Sequence, residues 1–262
     1  MKQPIEEILG FFNGHRYEYL SLQFCLLKRL WVSDRGKTSI LRDWLQNVRK
    51  NRDTIITTNY DTVLERGISK LTSAPDPRPM KERGLLNYGV RPDLLMLGYE
   101  KLAYDAAPGS ITLLKLHGSI SWSYCAKCEK AKLHPLDRNA ANSALAGETC
   151  ACGGELSPIL VGPAGKQYEH PVIASVVNTA SEILQQADEI VFAGFSMSIG
   201  DEAIRNLLAK AHNIAATRRV TVVDKQAERL KGNYKNVYGE TALELLHMDW
   251  REHLKNMLTE VT

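Results

Sequence analysis

No apolar run in this sequence approaches the roughly 20 residues a helix needs to span a bilayer, so no membrane-crossing helix is expected. The first residues, Met1-Lys2-Gln3-Pro4-Ile5-Glu6-Glu7, lack the apolar stretch of a secretory leader, and a cytoplasmic address follows by elimination. An excess of one charge is missing too: 33 Lys and Arg against 30 Asp and Glu leave a formal net charge of +3. That balance argues against a dominant polyanion-binding role, so nucleic acid is not an expected partner. Internal repeats and low-complexity segments are absent. Cysteine is sparse, five in 262 residues, which excludes a disulfide-stapled secreted scaffold. What is present, 44% hydrophobic and 24% charged residues over 262 positions, suffices for the core of an ordinary globular protein.

The few cysteines are not scattered. Cys25 sits alone in the apolar run Leu22-Gln23-Phe24-Cys25-Leu26-Leu27 and reads as a buried thiol packing as a small hydrophobe. The other four fall within residues 125–152, as Cys125-x-x-Cys128 and Cys150-x-Cys152. Two such knuckles supply the four thiolates that tetrahedral zinc prefers, and Gly153-Gly154 lets the backbone turn tightly behind the second. Four thiolates leave no open coordination position, so the expected zinc is structural. His134 is a less favoured alternative ligand, and a redox pair the alternative reading of the motif.

Along the chain, residues 1–50 read as helical, with Ile40, Leu41, Trp44, Leu45 and Val48 at helical spacing. Asp53 to Thr58 is a β-branched run with the composition of a buried parallel strand. Helical spacing resumes after Asp61, and Ala74-Pro75-Asp76-Pro77-Arg78-Pro79 marks a surface loop. Strands are predicted over 111–116, 189–193 and 219–223, and helices over 172–187, 201–215 and 240–258. Strands alternating with helices predict an α/β fold with a parallel sheet. The segment 121–158, which carries the cysteines and little apolar periodicity, reads as an inserted zinc lobe within a single domain over 1–262.

The lobe begins just after Lys115-Leu116-His117-Gly118-Ser119, and that juxtaposition resembles the sirtuin superfamily. Three more segments agree in order over about residues 54–225. Thr57-Thr58-Asn59-Tyr60-Asp61 is similar to the family's Thr-Gln-Asn-Ile-Asp segment. Cys152-Gly153-Gly154-Glu155-Leu156-Ser157-Pro158 is similar to its exit from the zinc lobe. Gly194-Phe195-Ser196-Met197 is similar to its Gly-Thr-Ser-Leu turn. Asn59-Tyr60-Asp61 and Gly194-Phe195-Ser196-x4-Asp201 resemble the sirtuin-like proteins of bacterial defence systems more than the protein deacylases. Ile159 to Gly165 replaces the deacylases' Phe-Gly-Glu turn beside the acyl-lysine channel.

The resemblance implies a Rossmann-like sheet, NAD as substrate, and cleavage of the bond between nicotinamide and ribose. It implies Asn59 and His117 as catalytic residues, with Thr57, Asn59, Asp61, Gly194, Ser196 and Asp224 contacting NAD. Oriented dipoles at strand ends can stabilise the positive charge that develops on the ribose, and a histidine can take a proton near neutral pH. Asn59 and Asp61 can equally cap the following helix, Gly194 and Ser196 can form a plain turn, and an acidic residue such as Asp224 at a strand end is ordinary. A protein partner or a second copy of the chain fits the same reading. So does, more remotely, a zinc module that only binds.

One expected part is missing. A sirtuin-like domain opens with a strand and a Gly-Ala-Gly-x-Ser loop that cradles the pyrophosphate, whereas the glycines before Asn59 are Gly10, Gly14 and Gly36, none behind a strand-like run. The sequence therefore reads as a domain without its first strand and Gly-rich loop, either because these lie upstream or because they are lost. Weak NAD binding and compromised catalysis are the physical expectation.

Overall fold

A computed structural model describes residues 42–51, 53–71, 84–103, 109–134, 140, 147–162, 168–198, 200–214, 219–239, 243–250, 252–253 and 256. Cys25, the helical reading before Arg42 and the proline-rich stretch 74–79 lie outside them. The chain divides into two compact units, Met1–Gly162 with Lys166–Thr179, and Pro163–Gly165 with Ala180–Thr262.

In the first unit, helix α1 (Arg42–Asn51) buries Leu45 and Val48 on one face. Strand β1 (Thr54–Thr57) follows, then the short helix α2 (Val63–Ser69) and the two-residue strand β2 (Leu86–Asn87). Strand β3 (Ile111–Lys115) lies between β1 and β2 and runs parallel to both, with Thr54 opposite Thr112 and Thr57 opposite Lys115. Leu113 and Leu114 of this central strand are fully buried, whereas all four residues of β1 are half-buried. Among the described residues no strand pairs with the outer edge of β1.

A second, antiparallel sheet carries the cysteines. Strand β4 (Gly118–Cys125) is flanked by β5 (Lys130–Leu133) and β6 (Leu156–Leu160). The 121–158 segment is thus more regular than its weak periodicity suggests. The reason lies in burial: Ser119, Ser121 and Ser123 of β4 are buried along with the apolar positions, which erases the alternation a half-exposed strand would show. Trp122 is fully buried and meets Tyr88 edge-on, 4.9 Å between ring centres. Gly118 has φ +81°, and a side chain there would collide with the Ile159 carbonyl, so the tight entry into β4 requires glycine.

Helix α3 (Pro171–Gln186) opens with proline in its first turn, where no N–H partner is needed. Its first half packs on the segment after β2, with the Thr179 hydroxyl donating to the Gly89 carbonyl at 2.8 Å and the Arg91 N–H to the Ser175 hydroxyl at 2.9 Å.

The second unit is a parallel sheet in the order β7 (Glu189–Ala193), β8 (Arg219–Val223), β9 (Leu243–Leu246), with helices α4 (Glu202–Ile214) and α5 (Ala227–Tyr238). Val220, Val222, Ala227 and Tyr234 form its fully buried centre. The predicted strands at 189–193 and 219–223 are found at those residues. The helix predicted over 240–258 is found only in part: among its described residues Trp250, Glu252, His253 and Asn256 are helical, but Leu243–Leu246 is a strand. Leu243–Leu246 pairs along the free edge of β8, and the ladder it completes outweighs a helical preference spread over so few residues. Helix α5 had no counterpart in the prediction, because its apolar face is short and rich in tyrosine. On the opposite edge Val191 of β7 is 43% exposed, unusual for a parallel strand. Among the described residues no helix is long and apolar enough to cross a membrane.

Candidate functional site

The four zinc-lobe thiols converge. All four Sγ atoms lie within 4.8 Å of one another, with Cys125–Cys152 and Cys128–Cys150 each at 3.5 Å. Thiolates about 2.3 Å from a central zinc stand roughly 3.8 Å apart in a tetrahedron, so the cluster fits the ion. Cys125 and Cys150 are buried against Leu156, while Cys128 and Cys152 are half-buried. The thiols differ in how readily they ionise. Cys128 is pushed up to about 12 by burial and by its neighbours Cys150, Cys125 and Cys152. At Cys125 burial is outweighed by hydrogen bonds from the Cys128 backbone, from Cys152 and from the Lys127 backbone, which bring the thiol down to about 7. A bound cation would favour the thiolate at all four. Gly154 is required here, since a Cβ would stand 2.5 Å from the Cys125 sulfur. The Cys150 N–H donates to the Gly154 carbonyl at 2.8 Å and closes the second knuckle. His134 takes no part in the cluster. It is buried and hydrogen-bonded to the Tyr99 hydroxyl at 3.2 Å.

The other predicted residues of the first unit gather at the ends of β1 and β3. Thr57 is paired with Lys115, so Asn59 and His117 each stand two residues past the last rung of the parallel ladder. Backbone bonds lock the two chain segments together there. The Leu116 N–H donates to the Thr57 carbonyl at 3.0 Å, and the Ile120 N–H to the Tyr60 carbonyl at 2.9 Å. The Asn59 N–H donates to the Thr57 hydroxyl at 3.1 Å, leaving the Asn59 side chain exposed. The Asp61 carboxylate accepts from the Val63 N–H at 3.1 Å, an Asx turn leading into helix α2, whose N-cap position is Thr62.

His117 is 2% exposed. Its ring lies against Tyr60 at 5.9 Å, its Nε2 is 2.7 Å from the Tyr168 hydroxyl, and its carbonyl accepts from the Val161 N–H at 2.9 Å. Burial lowers its pKa to about 4, against a smaller opposing effect of a hydrogen bond to the Thr58 backbone, so the imidazole is neutral at pH 7. Beneath the turn, the Lys115 ammonium donates to the Asp61 carbonyl and pairs with Glu65 at 3.1 Å, with both side chains essentially inaccessible. The Tyr88 hydroxyl reaches the same Glu65 oxygen at 3.4 Å, and Glu65 Oε2 has no hydrogen-bond partner. Neither Tyr168 nor this pair was foreseen. Only strand alternation hinted at the pair, since Lys115 shares a strand face with Leu113.

In the second unit Ala193 is paired with Val223, which brings Gly194 and Asp224 side by side beyond the last rung. Gly194 has φ +65° and donates its N–H to the Val223 carbonyl at 3.1 Å. The turn that follows is held from helix α5: Asn233 donates to the Ser196 carbonyl at 3.0 Å and the Tyr234 hydroxyl to the Phe195 carbonyl. Met197 is buried with φ +48°, a left-handed conformation that a non-glycine residue adopts only under constraint. Ser196 is exposed. The Asp224 carboxylate accepts from the Gln226 N–H at 2.7 Å, closing the turn into α5. Thr57, Asn59, Asp61 and His117 thus form one group, and Gly194, Ser196 and Asp224 a second, each within its own unit.

Comparison with known proteins adds three findings. A family model for the SIR2-like domain matches residues 53–243. Over 151 residues the chain is 30% identical to an NAD-dependent protein deacetylase of Fusobacterium nucleatum subsp. nucleatum, an alignment covering 57% of this chain and 53% of that protein; the chain spans about half the length of that relative. The fold is similar to solved sirtuins. One, solved to establish the basis of sirtuin substrate affinity, is 14% identical with a TM-score of 0.57, covering 100% of this chain and 86% of that one. A second, Sir2 bound to an acetylated peptide, is also 14% identical, with a TM-score of 0.56 over 97% of this chain and 82% of that one.

Proposed function

We propose that this chain, which belongs to the SIR2-like domain family, binds NAD beyond the carboxyl ends of its parallel strands and hydrolyses the bond between nicotinamide and ribose. One observation carries the reading: Asn59 and His117 each follow the last rung of the β1–β3 ladder by two residues, an exposed amide and a buried neutral imidazole at neighbouring strand ends. In this reading the Asn59 amide orients the ribose or the attacking water. His117, unprotonated at neutral pH, accepts the proton the water loses as its oxygen bonds to the ribose carbon. Nicotinamide leaves with the bonding electrons and becomes neutral. Thr57 fixes the Asn59 backbone, Asp61 meets the nicotinamide amide, and Gly194, Ser196 and Asp224 serve the remaining sugar and phosphate contacts. The four cysteines hold zinc as a cross-link only; a bound ion there supplies shape and no step of the reaction.

The setting we favour is bacterial antiphage defence, on the strength of Asn59-Tyr60-Asp61 and Gly194-Phe195-Ser196. Nicotinamide release from NAD tests the activity. Release that disappears in Asn59→Ala and His117→Ala supports it, and no release at millimolar NAD sinks it. A second reading, NAD-dependent protein deacylation, is favoured by the deacetylase from Fusobacterium nucleatum. It predicts turnover only when an acetylated peptide is supplied.

A further inference from the structure

The acceptor direction of His117 Nε2 is already filled. Tyr168 Oη lies 2.7 Å away, the length of a strong hydrogen bond, with the two rings inclined at 64°. A ring N–H of His117 is committed to the Thr58 backbone, so the nitrogen facing Tyr168 carries the lone pair and the phenol is the donor. Tyr60 covers a face of the imidazole, and its own hydroxyl is anchored to the Val161 carbonyl at 2.7 Å. With 2% of its surface exposed, His117 meets any substrate hydroxyl or water in the Nε2 direction by way of Tyr168, which is itself half-buried.

We propose that Tyr168 is a catalytic residue that relays the proton, its hydroxyl standing between His117 Nε2 and the attacking water. This rests on the NAD-cleaving reading above. As the water oxygen bonds to the ribose carbon, the water O–H gives its proton to Tyr168 Oη while the phenol O–H gives its own to Nε2. The phenol is neutral before and after, the imidazole becomes imidazolium, and the proton leaves to solvent once ADP-ribose departs. Nothing is oxidised or reduced. The relay accounts for a base buried this deeply, because the imidazole need not touch the substrate to serve it. The neutral state of His117 above about pH 4 keeps the lone pair available.

The test compares wild type, Tyr168→Phe, His117→Ala and the double variant. Nicotinamide release is followed at saturating NAD, NAD affinity by calorimetry, and the His117 ring nitrogens by 15N NMR of the unliganded protein. Expected are a fall in kcat of roughly 100-fold for Tyr168→Phe, NAD affinity unchanged within about twofold, and a double variant no slower than His117→Ala, as for two groups acting in one relay. The Nε2 resonance should move in Tyr168→Phe, reporting the lost donor. Wild-type or faster kcat in Tyr168→Phe overturns the relay and leaves NAD cleavage standing, as do losses that multiply in the double variant. A wild type that releases no nicotinamide removes the cleavage reading, and the relay with it. An unmoved Nε2 resonance overturns the hydrogen bond on which the relay depends.

Discussion

Replacing Lys115 with methionine tests whether the turn carrying Asn59 is held from beneath. Methionine fills the volume of the lysine stem but removes the ammonium that pairs with Glu65 at 3.1 Å and donates to the Asp61 carbonyl. Glu65 then keeps a fully buried carboxylate with only the long contact to Tyr88 and no partner on Oε2. Breaking a buried pair from one side costs about 3–5 kcal/mol, against a total of about 5–15 kcal/mol for a folded domain. At this size that lowers the melting temperature by roughly 6–20 °C. The double variant Lys115→Met with Glu65→Met leaves no orphaned charge and recovers most of the loss. The loss is also pH-dependent. Burial raises the Glu65 carboxyl above its ordinary value, and the Lys115 charge is the largest opposing effect. An acid raised in the folded state holds its proton more tightly there than in the unfolded chain. Stability from this group is therefore complete below the unfolded value of about 4.5 and declines as pH rises toward the folded one. Without Lys115 the decline extends further up, so urea midpoints of Lys115→Met should fall more below wild type at pH 8 than at pH 5. Equal losses at both pH values, or a double variant no more stable than the single, refute the reasoning.

Chelation should release about one zinc per chain and unfold the knuckles; after chelation, amide exchange accelerates at Tyr124 and Leu156 beside the metal, measured against the intact protein. Gly154→Ala, whose methyl would meet the Cys125 sulfur, should reproduce that loss with no chelator present; full zinc content in this variant would show that the knuckle tolerates a side chain. Acid should destabilise the fold through His117 and His170, both lowered to about 4 by burial. Between pH 6.5 and 4 the unfolded chain binds the extra protons, so stability rises with pH across that window, by up to about 3 kcal/mol for each histidine. His170→Gln should flatten the acid limb of urea midpoints taken from pH 7 to 4.5, and an unchanged limb would remove His170 from the account.

The four-cysteine cluster was legible because its information is local: two short cysteine spacings and a glycine pair bring four thiols together without reference to the rest of the chain. Strands β7 and β8 were legible because continuous β-branched runs admit few other structures. Leu243–Leu246 failed that test, being four residues whose state is decided by the free edge of β8 and not by their own pattern. Asp61 and Asp224 show a different limit. Each closes an Asx turn between a strand end and the helix that follows. The plain reading and the functional one therefore describe a single position, and sequence cannot choose between roles that coexist. Tyr168 and the Lys115–Glu65 pair were hidden because each depends on a partner dozens of residues away.

The zinc lobe and the His117 turn are two ends of one ladder. Strand β4 leaves His117 at Gly118 and ends at Cys125, while β6 begins opposite Cys125 at Leu156 and returns to Leu160 opposite Gly118. The five residues of β6 set the span of the ladder, about 14 Å at the rise of an extended chain. At its far end the four thiols cluster, and its near end is tied by the Val161 N–H on the His117 carbonyl and the Tyr60 hydroxyl on the Val161 carbonyl. The pairing is not uniform between them: the register shifts between Ser123 and Gly118. A ladder interrupted in this way frays from the metal end only as far as the irregularity, because the rungs beyond it have their own anchors in Tyr60 and in the buried Trp122. A metal held by the four thiols would therefore fix the shape of the lobe, whereas the geometry at His117 depends more on Tyr60, Lys115 and Tyr168, which reach it without passing through the cysteine cluster.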